Sequence, residues 1–89
     1  MNVILSNRAE KQLRALPKID QLAVAQKIRH IREIPRGVPQ EEKLSGYTNI
    51  YRVRIGNYRI VYRKTTQQLY IILIHHRKDV YRMIKEVLK

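Results

Sequence analysis

The fold of this chain is decided by the stretch Ile50-Tyr51-Arg52-Val53-Arg54-Ile55-Gly56-Asn57-Tyr58-Arg59-Ile60-Val61-Tyr62-Arg63. Two runs rich in Val, Ile and Tyr flank Gly56-Asn57, and glycine at the first central position is the signature of a type II′ hairpin turn. This turn pairs Ile55 with Tyr58 and Arg54 with Arg59. Because side chains alternate across a strand, the hairpin has one apolar face and one basic face. The basic face carries Arg52, Arg54, Arg59 and Arg63.

The basic face has no evident structural purpose. Like charges directly opposite in a sheet destabilise it by a few tenths to about 1 kcal/mol per pair, so Arg54 against Arg59 costs stability unless an anion binds there. The alternative is a solvated outer face opposite a face packed on the core. The formal net charge of +12 over 89 residues and the pI near 10.5 favour a partner, namely nucleic acid, an anionic surface or an acidic protein.

Length and composition limit the class of protein. A chain of 89 residues predicts one domain, 1–89, with a modest core. The absence of cysteine excludes disulfides, thiolate metal sites and a cysteine nucleophile, and it suits a reducing cytosol. We expect no signal peptide and no membrane span, and therefore a cytoplasmic protein. The sequence has no P-loop and no His/Asp metal spacing, so we predict neither a metal nor a cofactor.

A strand and two helices are predicted ahead of the hairpin. Residues 2–5 have the pattern of a short strand. Asn7 with Glu10 three residues later has the spacing of a capping box at a helix start. Pro17 disfavours helical geometry at the preceding residue and suits the first turn of a second helix, from about 18 to 34. These two helices form a hairpin with an apolar side.

The rest of the chain completes an α+β pattern. Residues 35–39 end the second helix, and 40–43 continue as a polar loop. Residues 69–74 are apolar on both faces, which predicts a central strand covered on both sides. Asp79 suits the N-cap of a last helix. The order β-α-α-β-β-β-α predicts a small, mostly antiparallel sheet packed on the N-terminal helix pair. The basic face stays open unless the C-terminal segment crosses it.

The basic face could also support chemistry on RNA. Cleavage without a metal needs a group that removes the 2′-OH proton, cations that stabilise the phosphorane, and an acid for the leaving 5′-oxygen. Arginine fills the second role, since its planar fork grips phosphate, but its pKa above 12 makes it a poor base. The side chains able to move protons near this face are His75, His76, Lys78 and Tyr81. Asp79 is the nearby carboxylate and has the position of a cap. The two histidines could equally be a polar exit from the sheet.

Three segments together resemble a known family. They are Lys43-Leu44-Ser45-Gly46, Tyr51-Arg52-Val53-Arg54-Ile55-Gly56-Asn57-Tyr58-Arg59-Ile60-Val61-Tyr62 and His75-His76-Arg77-Lys78-Asp79-Val80-Tyr81-Arg82. Their order and spacing resemble the RelE toxins of type II toxin–antitoxin systems, within the RelE/ParE superfamily. The resemblance covers nearly the whole chain and is strongest from 43 to 82.

The resemblance implies a microbial-RNase-like fold and a metal-independent endoribonuclease that cuts messenger RNA in the ribosomal A site and inhibits translation. It also implies an acidic, RelB-like antitoxin, and binding of operator DNA only as the toxin–antitoxin complex. Arg59 and Arg77 match the family's phosphate-binding and catalytic arginines, and Tyr81 matches its active-site tyrosine near the C-terminus. Arg52 and Arg54 stand where the best-studied members have lysines. They are therefore expected to contact phosphate and ribosomal RNA, and the general base is left open.

Two other functions compete with the nuclease. One is a ParE-like toxin that poisons DNA gyrase and cuts no RNA; the matching Arg59, Arg77 and Tyr81 set argues against it. The other is a basic RNA-binding module with no enzymatic activity. The predicted catalytic residues are Arg59, Arg77 and Tyr81. The predicted RNA- or phosphate-binding residues are Arg52, Arg54, Lys43, Arg63 and His76.

Overall fold

The computed structural model describes residues 1–34 and 36–88, and over these residues it confirms the predicted α+β class. Its elements are β1 (Asn2–Leu5), α1 (Asn7–Ala15), α2 (Lys18–Glu33), β2 (Glu41–Lys43), β3 (Ile50–Ile55), β4 (Tyr58–Lys64), β5 (Gln68–His76) and α3 (Val80–Val87). The strands form one sheet in the order β1-β5-β4-β3-β2. β1 runs parallel to β5, and every other neighbouring pair is antiparallel.

The central hairpin has the predicted register. Ile55 pairs with Tyr58, and Arg54 pairs with Arg59. Gly56 has a φ of 56° at the first central position of the turn, as a type II′ turn requires. A residue with a Cβ is strained at that φ, so glycine at this position fixes which side chains of β3 and β4 share a face.

The short edge strand β2 corrects the sequence prediction, which made residues 40–43 a polar loop. Glu41 pairs with Val53 of β3, and its carboxylate accepts hydrogen bonds from the hydroxyl of Tyr62 and from Lys64 Nζ, the latter at 3.0 Å. Burial of the Tyr62 hydroxyl raises its pKa, and the hydrogen bond to Glu41 raises it further. Polar contacts from Glu41 to β4 hold β2 in place. The sequence of β2 therefore lacks the alternating apolar residues that would predict a strand. Charged residues are also common on edge strands.

Replacing Glu41 by Ala should destabilise the fold by about 3 kcal/mol, because Lys64 would remain buried without its partner. Both side chains of this ion pair are only 10% exposed. The matched control is Glu10→Ala, which breaks an exposed pair with Arg14 of the same charge type and should cost less than about 1 kcal/mol. Urea unfolding of the two variants measures the difference. Equal free energies of unfolding would contradict the structural importance of the Glu41 contact.

The helix ends follow the prediction closely, with one shift. Ser6, one residue before the predicted Asn7, caps α1: its Oγ accepts from the Ala9 N–H at 3.0 Å and donates to the carbonyl of Ile72 at 2.7 Å. The bond to β5 adds a tertiary contact to the local cap, which favours Ser6 over its neighbour. α2 begins directly after Pro17, as expected, and ends at Glu33. The predicted helix stop includes residue 35, which lies outside the described residues.

The sheet is covered on both faces. On one face α1 and α2 pack against a core that includes Val24, Ile28, Ile31, Val53, Ile60, Tyr62, Leu69, Ile71 and Ile74. On the other face α3 packs against a smaller core of Ile50, Val61, Ile72, Leu73, Val80 and Ile84. Strand β5 contributes to both cores, which confirms the prediction of a strand buried on both sides.

A β-bulge in β5 exchanges the two faces partway along the strand. Tyr62 pairs with Ile71 but Val61 pairs with Leu73, so Ile72 is one extra residue. Because side chains alternate, every residue of β5 beyond the bulge points to the face opposite the one that simple alternation predicts.

Helix α3 crosses the basic face of the hairpin. Its buried residues Val80 and Ile84 pack with Val61, which lies between Arg59 and Arg63 on β4. The helix therefore divides the basic face, leaving Arg59 on one side of the packed segment and Arg63 on the other. No helix in the described parts of the chain is long and apolar enough to cross a membrane.

Candidate active site

A cleft of about 170 Å³ opens where the start of α3 meets strands β2, β3 and β4. Its walls are formed by Gln40, Glu42, Arg52, Arg54, Arg59 and Tyr81. We call this group the arginine cleft. The hairpin register and the path of α3 bring together three of the arginines predicted from the sequence and the predicted tyrosine.

Arg59 is anchored at the base of the hairpin turn. Its Nη1 donates to the carbonyl of Gly56 at 3.3 Å and to the carbonyl of Tyr58 at 3.0 Å. Both acceptors belong to the tight turn, so the glycine that sets the register also positions this guanidinium. The side chain is half-buried, which limits its rotamers before any ligand arrives.

Arg59 lies in a strongly positive environment. Burial lowers the pKa of its guanidinium, and Arg54, Arg52 and Arg77 lower it further, in that order, while Glu42 opposes them. Arg77 contributes to this positive potential from the segment after β5. A phosphate bound here would relieve the repulsion and gain several charge-assisted hydrogen bonds.

Arg77 is held beside the hairpin by the backbone. It lies exposed in the turn between β5 and α3, and its N–H donates to the carbonyl of Asn57 at 2.8 Å. Asp79 is the N-cap residue of α3, as predicted, but its side chain makes no capping hydrogen bond. Its carboxylate lies 3.5 Å from Arg82 instead. The hydrogen bond from the Arg77 N–H to the Asn57 carbonyl thus joins the β5–α3 turn to the hairpin turn and positions Arg77.

Tyr81 and Arg52 form one wall of the cleft. The guanidinium carbon of Arg52 lies 5.1 Å from the centroid of the Tyr81 ring, within cation–π range. Arg52 Nη2 also donates to Glu42 Oε2 at 2.5 Å. Arg52 is thus held between an aromatic ring and a carboxylate, whereas the Tyr81 side chain remains 54% exposed and able to stack on a base.

Glu42 is the functional candidate that the sequence analysis missed. It pairs with Arg52 across β2 and β3, which puts its carboxylate on the basic face. The prediction of a polar loop over residues 40–43 hid this position and left Asp79 as the one nearby acid. Opposite charges at Glu42 and Arg52, ten residues apart, were the available signal for the pairing.

The bulge in β5 determines where the two histidines lie. His75 pairs with Arg59 on the basic face, and within the described chain its Nδ1 is buried without a hydrogen-bond partner. His76 pairs with Tyr58 on the helix-pair face, where the two rings meet edge to face at 5.9 Å. Its Nδ1 accepts from the Lys78 N–H at 3.2 Å. The predicted RNA contact at His76 is therefore turned away from the cleft, and His75 takes its place on the basic face.

Two other predicted RNA contacts also lie outside the cleft. Lys43 pairs with Tyr51, whose side chain packs on the helix-pair face, so strand alternation directs Lys43 to that face. Arg63 is four residues beyond Arg59 on β4, roughly 13 Å along the strand, and borders a different pocket with Arg8 and Val87. Within the described residues, no three His, Asp or Glu side chains are grouped so as to hold a metal ion.

Comparison with known families defines the class of this protein. A family model described as the ParE toxin of type II toxin–antitoxin systems, parDE, matches residues 3–81. The chain therefore belongs to this family of toxins from type II toxin–antitoxin systems, and it is similar to RelE toxins in part of its sequence and in its fold. The resemblance found in the sequence motifs is confirmed.

Individual relatives agree with this assignment. Toxin RelE3 of Methanocaldococcus jannaschii is 40% identical over 40 residues, which are 45% of this chain and only 46% of the length of that relative. The isolated E. coli RelE toxin has a TM-score of 0.73 at 22% identity, over 99% of this chain and 98% of that chain. The RelB–RelE antitoxin–toxin complex from Methanococcus jannaschii also gives 0.73, at 23% identity over 90% and 96%. These structural similarities show the shared fold.

Proposed function

We propose that this toxin is a metal-independent endoribonuclease that cuts messenger RNA in the ribosomal A site. The observation that carries the proposal is the arginine cleft, where Arg52, Arg54 and Arg59 converge beside an exposed aromatic ring at the start of α3. Clustered guanidinium groups fit the phosphorane of RNA cleavage, whose negative charge develops on the non-bridging oxygens. The site of action is the cytoplasm, where the ribosomes are.

Each side chain has a distinct role in this proposal. Arg59, preorganised by its backbone contacts, stabilises the phosphorane from the sheet. Arg77 approaches the same phosphate from the β5–α3 turn and assists the leaving oxygen. Tyr81 stacks on a base of the transcript, and Arg52 and Arg54 hold neighbouring phosphates. Aromatic stacking contributes about 1 to 3 kcal/mol per base in single-stranded complexes.

The partner we propose is an acidic, RelB-like antitoxin. Structures similar to this chain include toxin–antitoxin complexes of RelE with RelB from E. coli and Methanococcus jannaschii. A chain of net charge +12 favours such a partner by long-range attraction. Binding of operator DNA then belongs to the toxin–antitoxin complex.

A gyrase poison is the second candidate, because the matching family model carries the name of ParE. Two assays of the purified toxin distinguish the candidates: transcript cleavage on translating ribosomes and inhibition of DNA gyrase supercoiling. The proposed nuclease cuts the transcript and leaves gyrase active. The opposite pattern would establish the ParE-like function. A toxin that binds RNA but shows neither effect would be a plain RNA-binding module.

Binding of the toxin to RNA should depend steeply on salt. Four phosphate contacts on single-stranded RNA predict a slope of about −3 for the logarithm of the binding constant against the logarithm of salt concentration. Titration of fluorescent RNA, or of ribosomes, between low and moderate salt measures this slope. A slope indistinguishable from zero would contradict phosphate binding by the arginine cleft.

A further inference from the structure

Removal of the proton from the attacking 2′-hydroxyl requires a basic group, which the guanidinium groups of the arginine cleft do not supply. Arginine is a poor base, since its pKa in water is above 12. Among the residues that line the cleft, Glu42 supplies the one carboxylate. We propose that Glu42 is the general base of the cleavage reaction, an inference that rests on the proposed nuclease function.

The geometry of Glu42 fits a base that meets its substrate. Its Oε2 accepts from Arg52 Nη2 at 2.5 Å, which orients the carboxylate along the cleft wall. The Glu42 side chain is 66% exposed, whereas that of Arg52 is only 14% exposed. The carboxylate is therefore held from the protein side and reachable from the solvent side. Short contacts with a fixed cation preorganise a catalytic group without occupying all of its acceptor positions.

The adjacent glutamate shows that this placement is specific to Glu42. Glu41 points to the opposite face, where its carboxylate is 10% exposed and bonded to Tyr62 and Lys64. Because side chains alternate along a strand, Glu41 and Glu42 lie on opposite faces: Glu41 anchors β2 in the sheet, and Glu42 faces the arginine cleft. An edge strand tied down by Glu41 holds Glu42 at a fixed distance from β3.

The charged groups around Glu42 suit the proposed step. Arg52 and Arg54 face it from β3, Arg59 from β4, and Tyr81 from α3. In our proposal a phosphate held by Arg54 and Arg59 lies between β3 and β4 with its ribose toward the β2 edge. In that orientation the 2′-hydroxyl approaches the Glu42 carboxylate.

In the proposed cleavage step, water supplies the proton for the leaving 5′-oxygen and restores the Glu42 carboxylate. Glu42 takes the proton of the 2′-hydroxyl while the 2′-oxygen forms a bond to phosphorus and the bond from phosphorus to the 5′-oxygen breaks. The 5′-oxygen takes a proton from solvent water, and the hydroxide left behind removes the proton from Glu42. The products are a 2′,3′-cyclic phosphate and a free 5′-hydroxyl, and the carboxylate is restored.

The test is single-turnover cleavage of a defined transcript on programmed ribosomes by Glu42→Gln. The amide keeps the shape of the side chain but cannot accept the proton, so cleavage should slow roughly a hundred- to ten-thousandfold. Ribosome affinity should be unchanged or tighter, because the variant removes a negative charge from a phosphate-binding cleft. The matched control is Glu10→Gln, which alters an exposed carboxylate that also lies 2.5 Å from an arginine and should cleave at the wild-type rate. Glu42→Asp, which keeps the carboxylate, should recover part of the rate.

A second substrate separates a base from a group that assists the leaving oxygen. Replacing the 5′-oxygen by sulfur gives a leaving group that needs no proton, so the defect of Glu42→Gln should persist on this transcript. Loss of the defect on the sulfur substrate would overturn the proposal, as would wild-type cleavage by Glu42→Gln. A defect confined to ribosome affinity would also overturn it and make Glu42 a positioning residue for Arg52. If the wild-type toxin itself leaves both transcripts uncut, the nuclease function fails, and this inference fails with it.

Discussion

Arg59→Ala should slow single-turnover cleavage on programmed ribosomes by roughly a hundred- to a thousandfold, which is about 2.7 to 4 kcal/mol of transition-state stabilisation. The expected loss is large because two carbonyls of the hairpin turn hold the Arg59 guanidinium in the cleft before RNA binds. Arg77→Ala and Tyr81→Ala should each slow cleavage as well, by roughly ten- to a thousandfold. The fold should be retained, because Arg59 is only half-buried and the other two side chains are exposed.

The control for Arg59→Ala is Arg63→Ala on the same strand and the same face. Arg63 lies beyond the segment covered by α3 and borders another pocket, so its loss should change the cleavage rate by less than about threefold, or about 0.65 kcal/mol. His76→Gln is a second comparison, because His76 lies on the helix-pair face. A large loss of cleavage for His76→Gln, with Arg77→Ala and Tyr81→Ala nearly normal, would move proton transfer to that histidine. It would also refute the assignment of the cleft.

Expression of the wild-type chain alone in a bacterial host should stop growth, and Arg59→Ala at the same expression level should restore it. The physical reason is that each molecule of the proposed nuclease would cut many transcripts, so even modest amounts would block translation. Pulse labelling of new protein, with immunoblots that match the amounts of folded toxin, measures the effect. The arrest should be accompanied by a fall in protein synthesis before any fall in DNA synthesis.

A bacterial host that grows normally while it accumulates folded wild-type protein would contradict toxin activity. An arrest in which DNA synthesis stops first, and which Arg59→Ala does not relieve, would favour gyrase as the target instead. Co-expression of an acidic antitoxin should restore growth without altering Arg59. Its association with the toxin should slow as salt is raised, since long-range attraction accelerates the encounter.

The hairpin was predictable because its determinants are local. Gly56 sets the turn, the turn sets the register, and alternation then assigns Arg54 and Arg59 to one face. Burial of β5 on both sides followed equally from its continuous apolar composition. A few neighbouring residues are therefore enough to predict the hairpin and the buried strand β5.

The parts that were missed depend on contacts between distant residues. Strand β2 is held by the contact of Glu41 with Tyr62 and Lys64, more than twenty residues away, so its polar sequence resembles a loop. The bulge at Ile72 shifts β5 by one residue and exchanges the faces of His75 and His76. One inserted residue reverses every later side chain in a strand, and nothing in the apolar run of β5 marks where it falls.

The sequence analysis therefore predicted the arginines of the candidate site but missed its glutamate. Arg59, Arg54 and Arg52 follow from the hairpin, and Tyr81 follows from the family motif and the helix that α3 forms. Glu42 required the position of β2, for which the sequence offered only the opposite charges of Glu42 and Arg52. This division follows from physics, since strand alternation is local but the pairing of an edge strand is not.

The most direct measurement is to map the transcript ends produced when purified toxin is added to ribosomes programmed with a defined messenger RNA. We expect a cut within the A-site codon, without added metal beyond that needed by the ribosome, that leaves a 2′,3′-cyclic phosphate. A single 2′-deoxy substitution at the cut position should abolish the cut, because the attacking hydroxyl is gone. Intact transcripts at toxin concentrations that saturate the ribosome, or cleavage that survives the 2′-deoxy substitution, would contradict the proposed nuclease mechanism.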